Sequence, residues 1–348
     1  MSRPGARRFR RTLVVLGLTL VVAVLVAVAV GAVWISPVTT LRLVGWKLGL
    51  TGHPDGVDRA AEVILLQLRL PRVLLAVLVG AALGLSGMLF QGLFRNPLAD
   101  PAVIGVSSGA ALGAIVVIVL GGAAFASGLG VSLAAFGGAL LTTVAVYRIA
   151  RVGPTVQVTT LLLAGIAIAA TISALMSLIM SFSGEQIRSI YFWLLGGLGA
   201  RGWSSVGVVV PFVVLGTGAT LLLARDLNLV SLGEERATQL GVEVPNFKRR
   251  SIAAGALLAA AAVSVAGVIG FVGLMTPHLL RLLVGADHRR LLPAVLLGGP
   301  LFVVLADLAA RTVLAPEELP LGAVTALVGA PFFLWLLRRE RGRAAGVA

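Results

Sequence analysis

The chain has 348 residues, of which 58% are hydrophobic and only 12% charged, and its mean hydropathy is +1.04. Soluble chains carry about 25% charged residues, so this composition cannot coat a globule in water and a soluble enzyme of this length is excluded. The 28 Lys and Arg against 14 Asp and Glu give a net charge of +14, and cysteine is absent, which removes disulfides, thiolate metal sites and cysteine nucleophiles.

Arg3, Arg7, Arg8, Arg10 and Arg11 precede an apolar run from Thr12 to Ile35. A secretory signal has an apolar stretch of only ~7–15 residues, so this run reads as an uncleaved first transmembrane helix with a cytoplasmic N-terminus. Further apolar runs lie at 65–94, 102–123, 128–147, 156–182, 204–224, 251–274, 292–314 and 321–337, with a shorter interrupted segment near 276–285. A spanning helix needs ~20 mostly apolar residues, so the pattern predicts one all-α membrane domain over 1–348 with about ten crossings and both termini in the cytoplasm. Of the 28 basic residues, 19 then fall in cytoplasmic segments and 8 in external ones, the sense that the positive-inside rule requires. That placement argues for membrane topology rather than nucleic acid as the reason for the positive charge. Gly80, Gly84 and Gly87 share one segment, a spacing that suits close helix–helix approach.

The stretch from Arg225 to Arg250, RDLNLVSLGEERATQLGVEVPNFKRR, holds five basic and four acidic residues on the cytoplasmic side. Leu229, Leu232, Ala237 and Leu240 recur at roughly helical spacing, Glu234 and Glu235 stand near the start of the turn, and Gly241 and Pro245 are expected to stop it. A short amphipathic helix beside the membrane is expected to dock a soluble partner. An offset of 180 residues places Gly87 on Gly267, Pro97 on Pro277 and Gly105 on Gly285. Because the two halves run in opposite senses, this predicts an inverted repeat with interrupted helices around Pro97 and Pro277.

The only lysines, Lys47 and Lys248, do not follow glycine, so a GxxxxGK[ST] phosphate loop is missing and the chain is not its own ATPase by that route. His53, His278 and His288 are far apart with no HExxH. Asp307 is the one clear intramembrane carboxylate, and Arg311 one turn on is its expected partner. Nothing in the chain is expected to break covalent bonds, and no metal or cofactor is called for.

RLPRVLLAVLVGAALGLSGMLFQGLFRNPLADPAVIGVSSGAALG (Arg69 to Gly113) resembles the signature region of FecCD-type permeases, the membrane subunits of ABC importers for iron–siderophores, haem and cobalamin. LLLAGIAI (161–168), YFWLLGGLG (191–199), LGEERATQLGV (232–242), GFVGLMTPHLLRLLVGADHRRLLP (270–293) and ELPLGAVTALVGAPFFLWLL (318–337) resemble it in the same order. The resemblance implies a type II ABC importer permease fold in the cell membrane. Its implied partners are a second permease subunit (a copy or a paralogue), two ATP-binding subunits and an external substrate-binding protein. It carries binding-protein docking onto Arg69, Arg72 and Arg311, and an inner gate onto Asn96, Pro97 and Leu98 with a second strip at Thr159. ATPase coupling falls on the run Leu232, Gly233, Glu234, Glu235, Arg236, Ala237, Leu240 and Gly241, in which Arg236 departs from the alanine often found there. The commonest cargo of the family, an iron–siderophore, ranks first, then haem, then cobalamin.

Overall fold

The computed structural model describes residues 3–344 except 32, 34, 48, 53–56, 122–127, 154 and 200; His53 lies outside the described residues. Helix α1 (Arg3–Ala29) and a short α2 (Pro37–Lys47) lead to a continuous rod made of α3 (Arg59–Val63), a π-helical turn (Ile64–Arg69) and α4 (Leu70–Phe94). A 3₁₀ turn (Pro101–Ile104), α5 (Val106–Leu120) and α6 (Gly128–Ala150) follow, then a two-residue hairpin, β1 (Arg151–Val152) and β2 (Thr155–Val156), and α7 (Val158–Ser181). The second half holds α8 (Ile187–Leu194), α9 (Trp203–Val230), α10 (Glu234–Gln239), α11 (Val244–Ala266), α12 (Val272–Val284), α13 (His288–Thr312) and α14 (Leu321–Ala344). Among the described residues seven helices are long and apolar enough to cross a membrane, and three shorter apolar helices, α5, α12 and the first part of α14, accompany them. The expected helical membrane architecture is therefore present, with the hairpin as its single extended element among the described residues.

Rod α4 is the centre of the bundle. Its apolar window is 83% buried, against 11% for α7, and α13, α11, α9 and α12 all pack on it. Small residues make this possible. A Cβ added to Gly80 would lie 2.4 Å from the Gly299 carbonyl oxygen, and one on Gly87 only 1.8 Å from that of Gly273. Backbones this close leave no room for any side chain, and the dispersion contacts so gained hold helices together where lipid removes the hydrophobic driving force.

The first expected interruption is where the sequence puts it. Rod α4 stops at Phe94 because Arg95 turns to φ +50, and the chain resumes α-helical form only after Gly105 at φ +82. The second is not at Pro277. That proline sits inside α12, and the break lies before it, between Gly267 (φ +67) and Phe271 (φ +67). Proline has no N–H for the carbonyl four residues back, here Gly273. The Gln91 side chain fills that vacancy, donating from Nε2 to Gly273 O at 3.3 Å and Leu274 O at 2.9 Å. The helix therefore runs through its proline, and the 180-residue offset does not align the two breaks.

The non-helical segment after α8 meets the end of α11 and the start of α14 at one node. Gly197 N–H donates to Ala266 O at 2.8 Å, Leu321 N–H to Gly196 O at 3.0 Å, and Gly322 N–H to Leu195 O at 3.1 Å. The first N–H groups and last carbonyls of a helix need partners outside it, and these three bonds supply them for α14 and α11.

Candidate functional site

Helix α4 runs 25 residues, Leu70–Phe94, or about 37 Å at 1.5 Å each, with Arg72 near one end and Asn96 just past the other. The elements collected at each end differ in chemistry.

At the Arg72 end the structure brings Arg69, Arg72 and Arg311 together, as a buried network. Arg69 and Arg311 are each only 6% exposed. Arg69 donates from Nη1 to Val28 O at 3.2 Å and Ala29 O at 2.6 Å, and from Nη2 to Val33 O. Arg311 donates to Val30 O at 3.0 Å and to Ala27 O. The last carbonyls of a helix have no partner in the helix and carry its negative dipole end. Two guanidinium groups therefore clamp the end of α1. Arg72 takes the carboxylates: Nε and Nη2 lie 3.0 and 2.9 Å from Asp307 Oδ1, and Nη1 donates to Glu318 Oε1 and Oε2 at 2.8 and 3.0 Å. Asp307 is also 3.4 Å from Arg311 Nε, which is the pairing expected from their one-turn spacing. Asp307 is thus held by two arginines in a dry setting, whereas the Glu318 side chain is 49% exposed.

Two cavities flank the Arg72–Glu318 pair. One of about 660 Å³ lies over the three-segment node, with Trp193, Gly196, Gly267 and Leu321 in its wall. The other, about 720 Å³, lies on the side of Arg69 and Arg311. Arg201 belongs to both walls. Its one hydrogen bond among the described residues runs from Nη1 to Gly128 O at 3.3 Å, and burial holds its guanidinium below the ordinary value. Sequence reading counted Arg201 only as an external loop charge. Nothing local distinguishes it, because the cavities are built by segments distant in the chain.

At the Asn96 end the asparagine side chain accepts from Leu98 N–H at 2.9 Å, so Asn96, Pro97 and Leu98 form an Asx turn. The 3₁₀ turn that follows is capped by Asp100, whose Oδ1 accepts from Ala102 N–H at 2.8 Å. Burial pushes the Asp100 carboxyl up, and the hydrogen bond from Ala102 pulls the other way. This turn packs on α7 through Gly165, where an added Cβ would lie 2.2 Å from Val103 O. Thr159 stands exposed in the first turn of α7. The two segments expected to gate are thus joined through the 3₁₀ turn. The run Gly105–Gly109 has the G-x-S-x-G spacing of a nucleophile elbow, but it follows a 3₁₀ turn rather than a strand and opens α5, so the context that motif needs is missing.

The polar run 225–250 also lies at this end, since Leu227 packs on Gly92. Less of it is loop than its composition suggests. Residues 225–230 are the last turns of α9 and 244–250 the first turns of α11. Only Glu234–Gln239 forms a separate helix, α10. Gly233 (φ +112) starts it and Gly241 (φ +85) ends it, whereas Pro245 sits in the first turn of α11 and starts that helix. Ala237 is fully buried, while Leu232 and Leu240 on either side are 55% and 53% exposed. Glu234 pairs with Lys248 at 2.8 Å, a residue that sequence reading used only to exclude a phosphate loop.

The comparisons with known proteins agree on what this arrangement is. The FecCD transport family matches residues 19–339. An uncharacterized ABC transporter permease protein of Bacillus subtilis is 44% identical over 93% of this chain and 92% of its own length. A cobalamin import system permease protein of Halobacterium salinarum is 47% identical over 83% of this chain and 77% of its own length. A hemin transport system permease protein of Yersinia pestis is 46% identical over 81% and 85%. Among solved structures, a chain of a metal-chelate-type ABC transporter in an inward-facing conformation superposes with a TM-score of 0.81, at 34% identity, over 95% of this chain and 99% of that one. The chain belongs to the FecCD transport family and is the multi-pass membrane permease of a type II ABC importer.

Proposed function

We propose that this permease carries an iron chelate of the siderophore class from an external binding protein to the cytoplasm, with both termini cytoplasmic. The energy comes from ATP hydrolysed by separate subunits docked on α10. The Arg72 end then faces outward and receives the binding protein, and the Asn96 end carries the inner gate. The observation that supports this most is the cavity of about 660 Å³ at the Arg72 end, in the size range of sites for small molecules rather than bare ions. Its wall of glycines and apolar side chains, with Ser189, Arg201 and the Arg72–Glu318 pair, suits a bulky chelate. Haem and cobalamin are the alternatives. Arg201 favours a cargo that bears carboxylates or another negative group, because a half-buried guanidinium with donors to spare gains from an anion. A carboxylate-bearing siderophore or haem meets that condition better than cobalamin, whose ring carries amides.

The test is uptake into vesicles that hold the permease with its ATPase subunits and binding protein. Labelled iron–siderophore, haem and cobalamin are offered separately, with and without ATP. ATP-driven entry of the siderophore, reduced by Arg201→Gln, is expected. Entry of cobalamin alone would overturn the cargo assignment, and uptake driven by an ion gradient without ATP would overturn the energetic one.

A further inference from the structure

Lys248 is one of two lysines in the chain and is only 7% exposed. It stands five residues into α11, and its Nζ lies 2.8 Å from Glu234 Oε2 and donates to Val156 O at 3.2 Å. An ammonium has three donors and no acceptor, and a buried one persists only where charge and hydrogen bonds compensate its lost water. Both partners are informative. Glu234 opens α10, the helix flanked by the exposed Leu232 and Leu240. Val156 closes the β1–β2 hairpin. The next residue, Gln157, caps α7, its carbonyl accepting from Leu161 N–H at 2.9 Å.

One side chain therefore ties together the docking helix, the base of α11 and the entry to the helix that carries Thr159. These charge-assisted bonds are directional and roughly twice as strong as neutral ones. They can transmit a push that an apolar contact would let slide. The far end of α11 is fastened as well, since Ala266 O accepts from Gly197 N–H at 2.8 Å beside the cavity of about 660 Å³.

We infer that Lys248 is a positioning residue for energy coupling: a strut that passes displacement of α10 to the start of α7. The inference rests on the permease reading and adds to it a residue and a route. A residue that merely stabilised the fold would alter yield or melting temperature. A strut alters the number of chelates moved per ATP hydrolysed.

The experiment uses the whole complex with its ATPase subunits and binding protein in vesicles, and measures transport and ATP hydrolysis together. Lys248→Met keeps the apolar stem and removes the cation. It should lower transport per ATP by roughly five- to tenfold, the lower part of the range for coupling between sites, with hydrolysis itself maintained. Lys248→Arg keeps donors for both partners and should restore the ratio. Glu234→Gln should lower it too, and the double variant should be no worse than Lys248→Met alone, because both changes break one interaction. An unchanged ratio in Lys248→Met, or losses that add in the double variant, would overturn the strut. If Lys248→Met fails to assemble, Glu234→Gln decides by the same ratio, since that carboxylate lies at the partly exposed edge. A wild-type complex that hydrolyses ATP yet imports none of the offered chelates would fault the cargo assignment alone. Stimulation of ATP hydrolysis by the loaded binding protein then becomes the readout: its loss in Lys248→Met supports the strut, and its retention overturns it.

Discussion

Arg72 and Asp307 lie 235 positions apart in sequence, yet the guanidinium meets the carboxylate through two nitrogens, Nε at 3.0 Å and Nη2 at 2.9 Å from Oδ1. The contact locks the start of α4 to the end of α13. Arg311 brings a second positive charge to the same carboxylate and, with Arg69, fastens the end of α1. Three elements, α1, α4 and α13, are thus linked through one buried acid. Removing one partner of a buried ion pair leaves an uncompensated charge and costs about 3–5 kcal/mol. Asp307→Asn is expected to lose about 3 kcal/mol of that kind, because the amide keeps the shape and Glu318 still serves Arg72. Glu318→Gln, at a half-exposed position, should cost about 1 kcal/mol or less. Thermal unfolding in detergent, followed by tryptophan fluorescence, ranks the two. Equal midpoints would mean that the network does not hold the fold.

The three arginines differ in what they can offer a binding protein. Arg69 and Arg311 are committed to backbone carbonyls, and Arg72 alone is paired with a solvent-exposed carboxylate, Glu318. A carboxylate on the docking protein can take the place of Glu318 on Nη1. Arg72→Gln should therefore weaken docking, and by more at low salt, where exposed charges are least screened. Arg69→Gln should instead show itself as a lower unfolding midpoint. Binding-protein affinity for the detergent-solubilised permease at two salt concentrations measures this. Unchanged affinity of Arg72→Gln at low salt would remove the docking role.

How much of this was readable in the sequence follows the range of the interactions. The spans were legible because an apolar run of bilayer length is a local signal. The Asp307–Arg311 pair was legible because a spacing of four residues puts both on one helix face. The break at Arg95–Gly105 was legible from proline, asparagine and glycine close together. Pro277 misled, because its missing donor is made good by Gln91, which reaches across from another helix 183 positions from Leu274. The arginine clamp on α1, the place of Arg201 between two cavities and the double contact of Lys248 stayed hidden for the same reason. Each is a meeting of segments that neither spacing nor composition encodes. In the polar run 225–250 the expected short helix is present but confined to Glu234–Gln239, and Pro245 starts the next helix instead of stopping this one, since a proline is tolerated in a first turn, where its missing N–H would have no partner.

Close backbone contact gives a sharper test of packing than any side chain. Gly87→Ala would place a methyl 1.8 Å from the Gly273 carbonyl oxygen, whereas at Gly17 an added Cβ meets nothing within 4 Å. Overpacking of this kind typically costs about 1–3 kcal/mol, and here only a backbone shift can relieve it. Gly87→Ala should therefore lower the unfolding midpoint clearly, and Gly17→Ala should leave it unchanged or raise it slightly through helix propensity. Similar midpoints for the two variants would mean that α4 and α12 can separate freely.

The two glycines that bound α10 differ in a way that orders their variants. Gly241, at φ +85, lies near the left-handed region that other residues reach at about 1–2 kcal/mol. Gly233, at φ +112 and ψ +147, occupies a region almost reserved for glycine. A Cβ at either position meets no neighbour within 4 Å, so any effect comes from the backbone and not from a clash. Gly233→Val should re-aim the start of α10, pull Glu234 away from Lys248 and uncouple ATP hydrolysis from transport. Gly241→Val should do the same more weakly, because it changes the exit of the helix, while Ala237, fully buried, still anchors its middle. The ratio of chelate moved to ATP hydrolysed should therefore fall in the order wild type, Gly241→Val, Gly233→Val. A reversed order, or a wild-type ratio in Gly233→Val, would show that the geometry of α10 does not set the coupling.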